Sequence, residues 1–465
     1  MQNYFTAADM LSLADDYPVG PAFLERFARI GRDELRALQE ARFATLLERA
    51  WRIPFYRRHW GGRGIEPGDI LGLDDIGKLP SYDKSDIMAS IEAHPPFGDF
   101  HGMELYPPGE RPPVVVHTTS GTTGSPQVLL WGPKSREVQN LLVARFYLLQ
   151  GLRPDDVVHS VYGHGMVNGG HYLREAVVHW TSAVFLPAGT GSETRSVQQV
   201  AMMKDFGATV IVGFADYIKH LADVARDQGL EPGRDIPVRM ISGHMGREAA
   251  DTLSKAWGGA DIFDWYGVGD TGAIAGEGPE RRGLYVNEDA QFLEICDIDT
   301  GAPVAAGRPG DMIVTCLYKD DIYPIVRFNT HDVSAFRTDP APSELKLRRI
   351  EGFLGRSDNM IKLRGINVFP QALGGMLASR PEFTGEFLCR ATRDANGRDA
   401  MTVTIEVREG RGDVALRDLY ADMLRSKIGV AVDVELVDAG ALAPMTQIES
   451  RQKPIRLLDE RFDDA

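Results

Sequence analysis

From Asp155 to Asp270, short apolar runs rich in β-branched residues alternate with segments of helical periodicity, and this alternation constrains the fold most. Val157, Val158 and Val161 mark one strand, and Ala183-Val-Phe-Leu-Pro187 reads as a short buried one. Ala208-Thr-Val-Ile-Val-Gly-Phe214 and Pro237-Val-Arg-Met-Ile-Ser-Gly243 follow, with helical patterns at 196–206 and 217–225. Strands separated by helices predict parallel βαβ units, whose ligand sites lie at the carboxyl ends of the strands. The ends that matter are Phe214, Ser242-Gly-His-Met245 and Trp265-Tyr-Gly-Val-Gly-Asp270.

Both flanks differ from this region. Apolar residues at helical spacing (Phe23, Phe27, Ile30, then Leu35, Leu38, Phe43, Leu46 and Leu47) predict a pair of covering helices between 21 and 51. At the other end, runs at 385–390, 401–407 and 432–437 alternate with period two, and 416–427 is helical. The fold class expected is therefore α/β. A large N-terminal domain of βαβ units with parallel sheets (1–354) would be joined by a hinge to a small α+β C-terminal domain (355–465). A chain of 465 residues is long enough for both cores.

Val114-Val-Val-His-Thr-Thr-Ser-Gly-Thr-Thr-Gly-Ser-Pro126 combines a β-branched lead-in, expected as a buried strand, with a loop of hydroxyls and glycines. Backbone N–H groups and hydroxyls in such a loop form an anion-binding nest, and glycine lets the backbone approach a polyphosphate. No Gly-Lys-Ser/Thr closes it, so it is not a Walker loop. A Ser/Thr-rich surface loop has the same composition. Tyr162-Gly-His-Gly-Met-Val-Asn-Gly-Gly170 permits another close backbone approach, to a ligand or to a helix.

Composition removes several function classes. The net charge of −15 argues against a nucleic-acid partner. Three scattered cysteines without CxxC spacing argue against a disulfide framework or a zinc site and fit a reducing compartment. The first residues lack a basic stretch followed by an apolar core, and no apolar run reaches ~18 residues. A cytoplasmic protein without a signal peptide or membrane span is expected.

Thr119-Ser-Gly-Thr-Thr-Gly-Ser-Pro126 resembles the phosphate loop of the adenylate-forming enzymes, the acyl-CoA synthetase superfamily, with Gln127 where a lysine usually stands. Gly355-Arg-Ser-Asp-Asn-Met-Ile-Lys-Leu-Arg-Gly365 resembles the same superfamily's Gly-Arg-x-Asp-x-x-Ile-Lys-x-Arg-Gly stretch. The opening segments at 33–39, 53–57 and 79–84 are similar to phenylacetate–CoA ligases, so the resemblance covers nearly the whole chain.

The resemblance implies roles for particular residues. Thr119, Ser120, Gly121, Thr122, Thr123 and Gly124 would hold ATP phosphates, and Ser242, Gly243 and His244 would border the adenine. Tyr266 and Gly267 match a Tyr-Gly-x-Ser/Thr-Glu pattern. Gly269 replaces its hydroxyl residue, and Asp270 replaces its glutamate as the Mg²⁺ ligand. Asp332 would take the ribose hydroxyls, next to His331 where arginine is usual. Arg356 would approach ribose and phosphate, Asp358 would be the hinge, and Lys453 would be the catalytic lysine of adenylation. Tyr162, His164, Met166, Val167, Phe214 and Ala215 would line the acyl pocket. The implied activity is ATP-dependent activation of a phenylacetate- or benzoate-like acid, followed by transfer to coenzyme A. A homodimer is compatible with it. Transfer to a carrier protein or an amine, or a non-catalytic nucleotide-binding relative, remain open.

Overall fold

A computed structural model describes residues 3–119, 126–245, 250–358, 360–363, 366–393, 399–408, 412–448 and 454–461, with backbone alone at 362, 366 and 367. Two compact units emerge. One comprises Met1–Val158, Gly163–Pro187 and Trp265–Gly352; the other comprises His159–Tyr162, Ala188–Asp264 and Phe353–Ala465.

The first unit opens with the helix pair, Gly20–Arg29 and Arg32–Trp51. Pro21 sits in the first turn of one, and Asp33 and Glu34 in the first turn of the other, where their charges favour the helix N-terminus. Phe23, Phe27, Ile30 and Leu35 bury against Tyr285, Leu345 and Leu347. The helix Pro133–Leu149 is buried on nearly every side, so its charged residues need partners. Arg136 forks onto Glu175 at 2.6 and 2.7 Å, and Arg145 onto Asp289 at 2.8 Å twice. Removing one partner of such a buried pair costs roughly 3–5 kcal/mol. An antiparallel sheet of Gln291–Cys296, Gly310–Cys316 and Phe328–Ser334 completes the part that matters for chemistry.

The second unit carries the parallel layer. Val210–Phe214, Met240–His244 and residues 261–264 pair in parallel, linked by the helices Ala215–Asp227 and Ala250–Ala256. Ile211, Ile218, Leu221, Ile241, Trp257 and Ile262 fill the core beneath them. The C-terminal α+β module has a core of its own. Its sheet runs Asp433–Asp438, Asp399–Val407, Phe383–Arg393, Leu457–Asp459, covered by the helix Val414–Ile428. The architecture is α/β with a separate small α+β module.

Two local expectations change and a third is refined. The run leading to the hydroxyl- and glycine-rich stretch is not a buried strand. Val115–Thr118 is half-buried and pairs antiparallel with Val128–Trp131. Val184–Pro187 is also not buried, because it is the last strand of its sheet and Val184 stays 55% exposed. Finally, the strand end expected at 265–270 is followed by a return strand. The strand Asp261–Val268 continues and turns back antiparallel into Gly272–Glu277, which leaves Asp270 in a hairpin turn.

Candidate functional site

The first unit brings together residues from distant stretches. The strand Phe328–Ser334 has a register shift where it pairs around Asp311 and Ile313, and His331 takes φ 56°. A bulge of this kind re-aims side chains. Thr330 and Asp332 turn inward on one face, and the Tyr266 hydroxyl donates to Asp332 Oδ2 at 2.7 Å. Asp332 is 5% exposed. His331 points the other way, with Nε2 2.9 Å from Asp83 Oδ2 and Nδ1 3.7 Å from Asp311 Oδ2. The Asp311 and Asp83 carboxylates push its pKa up to about 10, and Asp83 in turn is held well below the usual carboxylate range. A histidinium therefore keeps the positive charge that arginine would supply here. Asp83 also caps the helix Lys84–Ala93.

The two departures in the neighbouring motifs meet. Gln127 Nε2 donates to Asp270 Oδ1 at 2.6 Å, and both side chains are buried. Lys319 Nζ donates to the Asp270 carbonyl at 3.0 Å and sits 3.3 Å from the centre of the Trp131 ring. Burial raises the Asp270 carboxyl to about 6 and lowers the Lys319 ammonium to about 8. Each charge is desolvated, and each lies near groups that partly offset the cost. Lys319 was not a sequence candidate, since a lysine after an apolar strand reads as solvated. Its signal was its place between Tyr318 and Asp320-Asp321 at the end of a wholly buried strand.

Thr119 closes the hairpin base. Its N–H donates to the Gln127 carbonyl at 3.0 Å, and its hydroxyl accepts from Gln127 N–H at 3.1 Å. Thr118 N–H donates to Met166 O at 2.8 Å, so the segment holding Met166 and Val167 lies alongside the loop's entry strand. Met166 is 55% exposed. The His164 ring meets His171, which meets His117, at centroid separations of 5.7 and 4.9 Å. Burial and the adjacent Arg136 guanidinium push His117 down to about 4, leaving it neutral. Ser120, Gly121, Thr122, Thr123, Gly124 and Lys453 lie outside the described residues.

In the second unit two of the strand ends, at Phe214 and His244, lie side by side. Phe214 and His244 are register partners, their rings 5.0 Å apart, and Tyr162 packs on Phe214 at 5.2 Å and on His244 at 6.2 Å. Ala215 begins the next helix, and Ser242 is buried. Gly243 is obligatory for packing, because a Cβ would stand 1.8 Å from the Gly213 carbonyl oxygen. Gly267, in the first unit, is tight in the same way against the Gly272 carbonyl oxygen at 2.4 Å. Arg356 and Asp358 pair with each other, Nε to Oδ1 at 2.8 Å, in an exposed position.

Among the described residues no group of three or more His, Cys, Asp or Glu side chains could hold a metal.

Residues 365–461 match the AMP-binding enzyme C-terminal domain family. The chain is 28% identical to the phenylacetate–coenzyme A ligase of Aromatoleum evansii over 442 residues, covering 92% of this chain and 95% of that one. It is 29% identical to the Pseudomonas putida ligase of the same name over 462 residues, with 95% and 98% covered. Among solved structures, 2-hydroxyisobutyryl-CoA ligase in the postadenylation state superposes with a TM-score of 0.81 at 24% identity, covering 94% and 92% of the two chains. The same ligase in the thioesterification state gives 0.66 at 26% identity, with the same coverage. The chain thus resembles the phenylacetate–coenzyme A ligases over nearly its whole length, and its C-terminal residues match the AMP-binding enzyme C-terminal domain family.

Proposed function

We propose that the protein joins a carboxylic acid to coenzyme A at the expense of ATP, through an acyl-adenylate, and that the acid is aryl, phenylacetate- or benzoate-like. The observation that carries this reading is the Tyr266–Asp332 contact. Two motifs 66 positions apart converge where a nucleotide's base and ribose would need an aromatic and a carboxylate. The aryl preference rests on the likeness to phenylacetate–coenzyme A ligases and on the ring cluster of Tyr162, Phe214 and His244.

In the first step a carboxylate oxygen attacks the α-phosphorus, the bond to the β-phosphate oxygen breaks, and pyrophosphate leaves. Two anions must be brought together, so the protein's task is alignment and charge neutralisation. Thr119 and the hydroxyls and N–H groups of 120–124 hold the phosphates. Asp332 accepts the ribose hydroxyls, and Ser242, Gly243 and His244 border the adenine. Asp270 would hold a magnesium ion that, when bound, would offset the phosphates' charge. Lys453 bridges the acid and the α-phosphate, while Arg356 leaves Asp358 to reach the nucleotide. In the second step the thiol sulfur attacks the acyl carbonyl and AMP departs, after the C-terminal module has turned about Asp358. Tyr162, Phe214 and Ala215, and separately His164, Met166 and Val167, are the acyl contacts.

Pyrophosphate release is measured across aryl and short acyl acids, with and without coenzyme A, and products are identified by mass. A CoA thioester of an aryl acid is the expected result. An adenylate without thioester points to a carrier-protein or amine acceptor, and nucleotide-dependent stabilisation without turnover points to a non-catalytic relative. Lys453→Ala should abolish adenylate formation and spare thioester formation from supplied adenylate; equal loss of both half-reactions refutes its role.

A further inference from the structure

Arg456 lies three residues beyond Lys453 and is 8% exposed. Its guanidinium donates to Glu386 Oε1 and Oε2 at 2.9 and 3.0 Å and to the Phe387 carbonyl at 3.0 Å, all within the C-terminal module. The same Nη2 also donates to Asp216 Oδ2 at 3.0 Å. Asp216 belongs to the first turn of the helix Ala215–Asp227, directly after Phe214 and Ala215.

A second contact lies one turn along. Lys219 Nζ donates to the Thr384 carbonyl at 2.7 Å, and its side chain runs 3.8 Å from where a Gly385 Cβ would be. Gly385 has φ 111°, a conformation that side chains rarely adopt. An acidic residue in a helix's first turn needs no partner to be favourable, so Asp216 alone would mean little. The buried guanidinium shared between Asp216 and Glu386, with a lysine gripping the adjacent strand, is a two-point attachment.

We infer that Asp216 is a positioning residue: with Lys219 it anchors Arg456, and through it the segment carrying Lys453, to the helix that follows the acyl-pocket candidates Phe214 and Ala215. The inference rests on the ligase reading for its kinetic consequence, but the anchor itself is independent of it. Arg456 keeps Glu386 when Asp216 is changed, so the module retains its internal pairing. The half-reaction that needs Lys453 loses its support, and the one that does not is untouched.

Two measurements decide it. In Asp216→Asn and in Lys219→Met, acid-dependent ATP–pyrophosphate exchange should fall about tenfold, while thioester formation from supplied adenylate stays within about twofold. Lys219→Arg, which keeps the donor, should restore the rate. Amide hydrogen exchange, read without any substrate, should quicken in 383–393 and 454–459 in the Asp216→Asn protein, and stay unchanged in Asp227→Asn, an exposed change at the far end of the same helix. Unchanged exchange in Asp216→Asn overturns the anchor, and equal loss of both half-reactions overturns the positioning role. If the parent protein turns over no acid, the ligase reading fails while hydrogen exchange still decides the anchor.

Discussion

Two regions of the first unit differ in opposite ways from the superfamily pattern that the sequence resembles. On the strand Phe328–Ser334, His331 replaces an arginine but keeps its charge, because Asp83 and Asp311 hold the ring protonated. At the hairpin base, Gln127 replaces a lysine and Asp270 a glutamate, and the cation is gone from that position. There a neutral amide bonds a carboxylate whose affinity for protons has risen to about 6. The nearest cation, Lys319, grips the backbone instead. A substitution is thus not conservative or radical by residue type. What matters is whether its surroundings re-create the charge that was lost.

The strongest way to break this contrast is at its reference point. Asp332→Ala removes the carboxylate on the strand that kept its character. It should lower pyrophosphate release on the order of 100-fold, the upper range for a charged hydrogen bond. A variant that keeps its rate would detach this strand from nucleotide binding altogether. At the other region, Gln127→Leu leaves the buried Asp270 carboxylate with only the more distant Tyr323 hydroxyl, at 3.5 Å, as a donor to its side chain among the described residues, and should cost roughly 2 kcal/mol in urea unfolding. Gln127→Lys combined with Asp270→Glu should be better than the sum of the single changes; strict additivity would mean the two positions are uncoupled.

The pH dependence sharpens the other side. His331 has a folded pKa near 10, above the ordinary 6.5, so its contribution is fully present below about pH 6.5 and is lost as pH rises through about 10. In His331→Gln that alkaline loss should disappear, a change of about 1 kcal/mol after discounting for the half-exposed ring. Stability curves from pH 6 to 10 that coincide for parent and variant would remove the histidinium. The smallest effect belongs to Asp358→Ala. Its pair with Arg356 is exposed, so melting should shift by less than ~0.5 kcal/mol even if turnover falls.

Much of this was legible in the sequence, for identifiable reasons. Apolar β-branched runs alternating with period-3.6 segments marked the parallel layer, whereas the strand that turns Thr330 and Asp332 inward was not read from the sequence. Burial was harder to read. Val115 and Val184 have the same β-branched character as Val210, yet only Val210 has strands on both sides. Composition reports strand preference, and neighbours decide whether the strand is covered. The Gln127–Asp270 contact spans 143 positions, so both departures could be noted separately without any hint that they touch. Lys319 was missed because a buried lysine is rare and only its partners identify it.

The alternation along 328–334 has one more consequence. Adjacent residues on this strand answer to different neighbourhoods, 332 to Tyr266 and 331 to Asp83. The backbone between them works as an insulator. A mutation at 331 can be tried, kept or compensated on its own side while 332 goes on meeting the same partner. Such partitioning lets a lineage rework the surroundings of a site one face at a time, without passing through a form that has lost the site.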